Sequence, residues 1–477
     1  MRQFLRVLCA AAVAAAPGAT PPLGWSSWCT EGSCGQPHRS GNEHDVCSEG
    51  EVKAVATAMA TNGMQAAGYT LLSLDDCWGA VQRAPGGDFG RLAADTHRFP
   101  SGNGTMAELA SWLHARGFQL GLYLAAGNET CSTGGRAVPG EPHARGISGS
   151  CAAGPVPDAA SCRSQYEQDA ADVASWGVDM VKLDWCGFNG SVGEGGVAGL
   201  TTAFGAALAK TKRPIFYNFH CEASWAPWCP AAGVGSAAGV SWRVSKDHHD
   251  TWASTSAIID VLGTVANRTA PRAYSDPDFL MTGGAGCDIG AAADDDAWHP
   301  PPADDDDDPT PYAGLRCPGQ TEVEYRTEFS LWAVAAAPLV VATDLRLLTP
   351  FMAATLMHEE LLAVSQDARV RPRGVVQAKP CGGGSCQVWA RDLVPRADGG
   401  AAVAVALYNG GNAAATIAVP LALLFAGAPH GMSRALLVRD AWQRHDLGRF
   451  AGNASLSAAV ASHATEVFVV RQDMGPS

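Results

Sequence analysis

Lys182, Asp184 and Cys186 stand two residues apart at the end of the apolar segment 178–186, VDMVKLDWC. Residues two apart on a strand share a face, so a cation, a carboxylate and a sulfur would project to one side of a sheet. Val178, Met180, Val181 and Leu183 give the continuous apolar character of a strand covered on both faces. If the shared face is the inside of a barrel, the three groups converge at its mouth. There an ammonium beside a carboxylate favours the ionised acid, which is the state that does chemistry as a base or nucleophile. The structural alternative is a strand-terminal aspartate that caps the next helix, with Lys182 as a surface partner. This stretch alone does not separate the two readings.

Other acids recur at the ends of other apolar runs. Asp75 and Asp76 follow 69–74, Glu222 ends PIFYNFHCE at 214–222, and Asp247 ends VSWRVSKD at 240–247 with Arg243 inside it. Asp276 and Asp278 lie in AYSDPDFL at 273–280. Adjacent carboxylates hold hydroxyls bidentately or bind a hard cation, and the cation reading is weak without more acids beside them. His248-His249-Asp250 offers metal donors, but neighbours on a strand face opposite ways, so no metal site is expected.

These residues need elements that aim them one way. A strand near Leu23, then 69–74, 118–124, 178–186, 214–222, 240–247, 273–280 and 338–344 give eight candidate strands, each with polar residues at its C-terminal end. Helical apolar spacing separates the early ones, over 49–67, 106–116 and 166–176. This alternation predicts a (β/α)₈ TIM barrel with its site at the C-terminal face. An open parallel sheet is the alternative, but no Gly-rich phosphate loop follows any strand. After residue 367 the texture changes to short alternating runs at 387–390, 402–407, 415–419 and 466–470, which predict a C-terminal antiparallel β-sandwich over 368–477.

The 477 residues suffice for two domains, the barrel over 20–367 being the larger. A net charge of −14 argues against nucleic acid or an anionic membrane surface as partner and suits a neutral polar substrate. Residues 1–19 have the basic start, apolar run and small residues of a signal peptide, and no later run is long enough to span a bilayer. Setting aside Cys9, an even number of cysteines remains, and sequons stand at Asn103, Asn128, Asn189, Asn267 and Asn453. Both agree with a glycosylated chain in the secretory pathway, whether extracellular, vacuolar or lysosomal. The Gly- and Pro-rich stretch 135–162 reads as a surface loop open to closure by Cys151 and Cys162, and the acidic stretch 294–309 as a disordered insertion in the barrel.

A barrel mouth lined by acids and aromatics, without a Ser-His-Asp pattern or clustered His ligands, suits glycoside hydrolysis. At this point the chain resembles the α-galactosidases (melibiases) of glycoside hydrolase family 27. The matching motifs are GWSSW at 24–28, LDDCW at 74–78, GNETC at 127–131, KLDWC at 182–186, SWRVSKD at 241–247 and SDPDFL at 275–280, in the family's order. The stretch 324–346 adds to them, so the likeness covers nearly the whole chain beyond the leader.

The resemblance implies a retaining double displacement with Asp184 as nucleophile and Asp247 as general acid/base. Such a reaction sets the two carboxyls about 5 to 5.5 Å apart and needs the acid protonated before it donates. It implies that Asp75, Asp76, Lys182, Arg243 and Asp278 hold the sugar while Trp28 and Tyr123 give apolar surface. Cys131 and Cys186 match a disulfide beside the site, and Cys77 a bridge to one of Cys29, Cys34 or Cys47. Glu222 and Trp225 stand where the family excludes an acetamido group, which favours galactose over N-acetylgalactosamine. No cofactor or metal is implied, and a homodimer is compatible with the sequence.

There are departures. Ala223 stands where the family usually has Trp, Cys221 has Cys229 nearby for a bridge, Phe279 replaces a Met, and Lys246 precedes the acid/base. Facing Asp247, Lys246 would depress that acid, but strand alternation turns it away. The competing functions are an α-N-acetylgalactosaminidase or β-L-arabinopyranosidase on the same scaffold, and a galactose-binding protein without turnover. The presence of both carboxylates argues against the last.

Overall fold

The computed structural model describes residues 18–28, 48–76, 78–80, 83–88, 90–127, 130, 162–185, 194–221, 238–284, 319–395, 397, 399–426 and 435–474. The apolar runs form eight parallel strands, β1 (Leu23–Ser26), β2 (Leu71–Leu74), β3 (Gln119–Ala125), β4 (Met180–Asp184), β5 (Phe216–His220), β6 (Val240–Arg243), β7 (Ala273–Asp276) and β8 (Leu339–Val341). They pair in chain order from β1 to β7, and β8 pairs back onto β1. Leu280 closes the ring from beyond β7, donating to the Val340 carbonyl and accepting from Ala342. The TIM barrel read from the sequence is present, with its strands buried on both faces.

Among the described residues, helices α1 (Glu49–Thr61), α2 (Ala107–His114), α3 (Arg163–Ser175), α4 (Glu194–Lys210), α5 (Trp252–Val265) and α6 (Glu322–Val334) lie between strands, and α7 (Pro350–Leu356) and α8 (Glu359–Ser365) follow β8. Their starts are chemically marked. Ser48, Thr251 and Thr321 each accept a backbone N–H of the first turn, and Thr321 with Glu324 forms a reciprocal capping box. Helix α1 stops six residues short of the expected 67, because Asn62 caps it and Gly63 turns left-handed at φ +97°. Strands β6 and β7 also end early. Pro277 has no N–H for a ladder beyond Asp276, and Asp247 sits on the loop after β6.

The C-terminal part is antiparallel. β9 (Arg371–Cys381), β10 (Gly384–Leu393), β11 (Ala402–Asn409), β13 (Leu436–Asp440), β14 (His445–Phe450) and β16 (Thr465–Gln472) form one sheet in the order β14-β13-β16-β11-β10-β9. β12 (Ala415–Pro420) and β15 (Ser455–Val460) pair as a second sheet packed over it. Period-two alternation divides the larger sheet between two cores. Trp389, Ala404, Ala406 and Val467 join the barrel's core with Phe329 and Trp332 of α6, while Val388, Val403, Val405 and Val470 face β12 and β15.

Cys381 and Cys386 form a disulfide to which the sequence reading assigned neither residue. Cys162 and Cys221 also enter disulfides, while their expected partners Cys151 and Cys229 lie outside the described residues. So do residues 1–17 of the leader and the acidic stretch 294–309. Among the described residues no helix is long and apolar enough to cross a membrane.

Candidate active site

The site begins inside β4. Lys182 is buried, and its ammonium donates to Asp75 Oδ2 at 2.8 Å and lies 3.7 Å from Asp184 Oδ2. The rings of Trp28, Tyr123 and Phe279 surround it at 5.4–5.6 Å. Register explains part of this: Tyr123 of β3 lies beside Lys182, and Lys182 beside Asn218 of β5. Burial acts against the ammonium, yet Asp75 and Asp184 hold its pKa well above the usual lysine range. Burial also pushes the Asp75 carboxyl up against the pull of Lys182. Asp75 is seated by its own N–H, which donates to Ser27 Oγ, and Asp75 Oδ1 accepts the N–H of Asp76.

Asp184 closes β4 one step beyond that cation. Its Oδ1 accepts the Trp185 N–H at 2.8 Å and lies 3.2 Å from His220 Nδ1. Burial favours the neutral acid, but the His220 contact and the Lys182 charge override it and hold the pKa far below the usual aspartate range. Asp184 is therefore an ionised carboxylate in the resting protein, as the Lys182 spacing led one to expect.

Arg243, the last residue of β6, is buried between two acids. Its guanidinium contacts Asp247 at 2.8 Å and Asp278 at 2.9 Å. Asp278 has φ +83°, a conformation strained for a residue with a side chain. The strain is held from several sides. The Asp278 N–H donates to Asp276 Oδ1, its Oδ2 accepts the His248 N–H, and its carbonyl accepts Trp332 Nε1–H. His248, buried and pushed down to about 4 mainly by desolvation, bridges the Phe279 carbonyl and Thr255. Glu328 of α6, its pKa raised well above the usual range by burial, accepts the Met281 N–H and fixes the chain after β7.

Asp247 corrects the sequence reading. The acid/base was expected to be kept protonated by its surroundings, but the opposite environment is present. The carboxyl opens to solvent at the mouth, and the Arg243 guanidinium 2.8 Å away outweighs the partial desolvation from the surrounding wall and holds it below the usual range. Lys246 is exposed, and the cation paired with Asp247 is Arg243.

The structure thus brings Trp28, Asp75, Asp76, Tyr123, Lys182, Asp184, Arg243, Asp247 and Asp278 to the C-terminal face of one ring. Asp184 and Asp247 are close enough for each charge to affect the other. Cys29, Cys34, Cys47, Cys77, Cys131, Cys186, Glu222 and Trp225 lie outside the described residues, as do Asn128 and Asn189. Asn103, Asn267 and Asn453 are exposed. His220 was missed, although its signal was available: in FYNFH, Phe216, Asn218 and His220 alternate onto one face, at the strand end beside Asp184. Asn218 was missed too, and its amide donates to Asp276 Oδ2 and Ser241 Oγ inside the barrel. Among the described residues no three His, Cys, Asp or Glu side chains are grouped to hold a metal ion.

Comparison with known proteins is consistent along the chain. The family model described as Alpha galactosidase A matches residues 20–141 and 148–297, and that of the Alpha galactosidase C-terminal beta sandwich domain matches 383–470. The chain is 30% identical over 459 residues to the alpha-galactosidase of Cyamopsis tetragonoloba, covering 95% of this chain and 86% of that one. Among solved structures it is similar to alpha-galactosidase I from Mortierella vinacea, with TM-score 0.70, 23% identity and coverage of 95% and 97%. The alpha-galactosidase of Saccharomyces cerevisiae gives TM-score 0.71 at 21% identity, over 96% and 98% of the two chains. A family model spanning more than half of the sequence, with a relative 30% identical over 95% of the chain, settles the assignment: the chain belongs to the α-galactosidase family, glycoside hydrolase family 27.

Proposed function

We propose that this protein is a retaining exo-α-galactosidase acting on terminal α-D-galactosyl residues. The observation that supports it most is the meeting of two carboxyls at one barrel mouth: Asp184, ionised beside Lys182 and His220, and Asp247, exposed on the Arg243 side. In the first step Asp184 attacks the anomeric carbon while Asp247 protonates the departing oxygen. In the second, water attacks the glycosyl-enzyme and Asp247 takes its proton. The sugar's hydroxyls are held by Asp75, Asp76, Lys182, Arg243 and Asp278, with Trp28 and Tyr123 as its apolar walls. The preference for galactose rests on Glu222 and Trp225 by resemblance.

The substrate is an α-galactoside oligosaccharide or glycoconjugate met in the secretory pathway or beyond it. The exposed Asn103, Asn267 and Asn453 are its glycan acceptors. We place the catalytic unit at 20–367 and the C-terminal unit at 368–477.

The test is hydrolysis of p-nitrophenyl α-D-galactopyranoside by wild type and Asp184→Ala. Turnover falls on the order of 10⁴-fold or more in the variant if Asp184 is the nucleophile. Faster turnover of the corresponding N-acetylgalactosaminide or β-L-arabinopyranoside would reassign the sugar, and equal residual activity in the variant would remove Asp184 from the chemistry.

A further inference from the structure

The two oxygens of Asp184 are not equivalent. Oδ1 accepts the Trp185 N–H at 2.8 Å and faces His220 Nδ1 at 3.2 Å, whereas Oδ2 looks toward the Lys182 ammonium at 3.7 Å, beyond hydrogen-bond range. An ionised carboxylate only accepts, so the proton in the His220 contact sits on Nδ1 of the ring. The ring's attitude is fixed as well. It stacks on the Trp185 indole, centroids 5.2 Å apart and planes 25° from parallel. One residue, Trp185, thus supplies a backbone donor to Oδ1 and the platform that aims a second donor at it.

We propose that His220 is a positioning residue for the nucleophile: by holding Oδ1 it leaves Oδ2 as the oxygen that bonds the sugar, and it stabilises charge on Oδ1 whenever the carboxylate is being consumed or regenerated. This rests on the galactosidase reading and extends it. In glycosylation an electron pair of Oδ2 forms the bond to the anomeric carbon as the glycosidic C–O bond breaks and the departing oxygen takes the Asp247 proton. Oδ1 becomes the ester carbonyl. In deglycosylation water's oxygen bonds the anomeric carbon, its proton goes to Asp247, and the pair of the breaking C–Oδ2 bond returns to the carboxylate. Charge is shared with Oδ1 in both transition states, and a donor already aimed there needs no reorganisation.

The same geometry ties His220 to the acid range of activity. The groups facing Asp184 are Lys182 on its own strand, Asp75 from the end of β2, His220 from β5 and Asp247 after β6, with Arg243 behind Asp247. Without the His220 donor, Asp184 is protonated at a higher pH, and the low-pH loss of kcat/KM moves upward.

The experiment compares His220→Phe, which keeps a ring to stack on Trp185, with His220→Asn, which restores an N–H near the Nδ1 position. Both retain Asp184, so their ratios to wild type test the histidine, while the Asp184→Ala comparison separately tests the galactosidase reading. With the thermal midpoint unchanged, His220→Phe lowers kcat about 10- to 100-fold, the loss expected for one hydrogen bond to a charged group. Its KM changes little, its acid limb shifts to higher pH, and His220→Asn recovers most of the rate. An unmoved acid limb in His220→Phe, or an Asn variant no better than Phe, overturns the proposal.

Discussion

Asp247 is the residue at which sequence and structure part most sharply. Its pattern, SWRVSKD, named an acid that should await substrate with its proton on, and the strand reading kept Lys246 away from it. The cation that matters is instead Arg243, four positions back, which reaches Asp247 because β6 ends at Arg243 and the chain bends afterwards. That reach is a property of the turn and could not be read from alternation. It has a pH consequence. A depressed pKa means that the protonated, proton-donating form of Asp247 is the minor species above the usual aspartate range and falls about tenfold with each further pH unit. We therefore expect kcat/KM on an α-galactoside to fall steadily as the pH rises from the carboxylate range toward neutrality. A profile rising through pH 7 would show that Asp247 is not the controlling acid. By contrast, the spacing of two on a buried strand put Lys182 and Asp184 on one face, as the structure has them, although that stretch alone did not exclude a capping aspartate with a surface lysine.

At the level of elements, the barrel strands were legible because parallel strands covered on both faces are short continuous apolar runs, and their C-terminal ends collect the polar residues. Boundaries were less so. Gly63 in a left-handed turn and Pro277 without an N–H each stop an element that periodicity alone would continue. Helix α6 shows a start written in its sequence, with Thr321 and Glu324 capping each other. Thr321→Ala should cost about 1 kcal/mol, seen as a fall of about 2 °C in Tm. A midpoint identical to wild type would mean that water replaces the cap at no loss. Glu324 also meets His463 Nδ1 at 2.7 Å, so the same turn fastens the C-terminal part to the barrel.

Over the whole molecule, the two-part division was legible from texture, but the depth of the junction was not. Alternation along β10, β11 and β16 announces half-buried strands, yet both faces of these central strands are buried, one of them in the barrel's own core. Arg391 of β10 lies fully buried in that junction, donating to the carbonyls of Ala333, Ser365 and Asp367. Burial lowers its pKa to about 10, so it stays charged at neutral pH, against the negative ends of α6 and α8. Arg391→Met removes a charged donor from all three carbonyls; Ala333 and Asp367 keep backbone N–H partners while Ser365 loses its side-chain donor, and the change should destabilise by about 2 kcal/mol, with kcat of the folded enzyme unchanged. An unshifted Tm would show the junction to be dispensable. The shared core also bears on how the chain is made. The ribosome delivers Asp184, Asp247 and Asp278 well before Trp389 and Val467, so a nascent chain holds every described acid of its site while Phe329 and Trp332 still lack their final cover. During that interval the apolar flank of α6 is exposed to other chains, and a premature stop between β8 and β10 leaves it open for good.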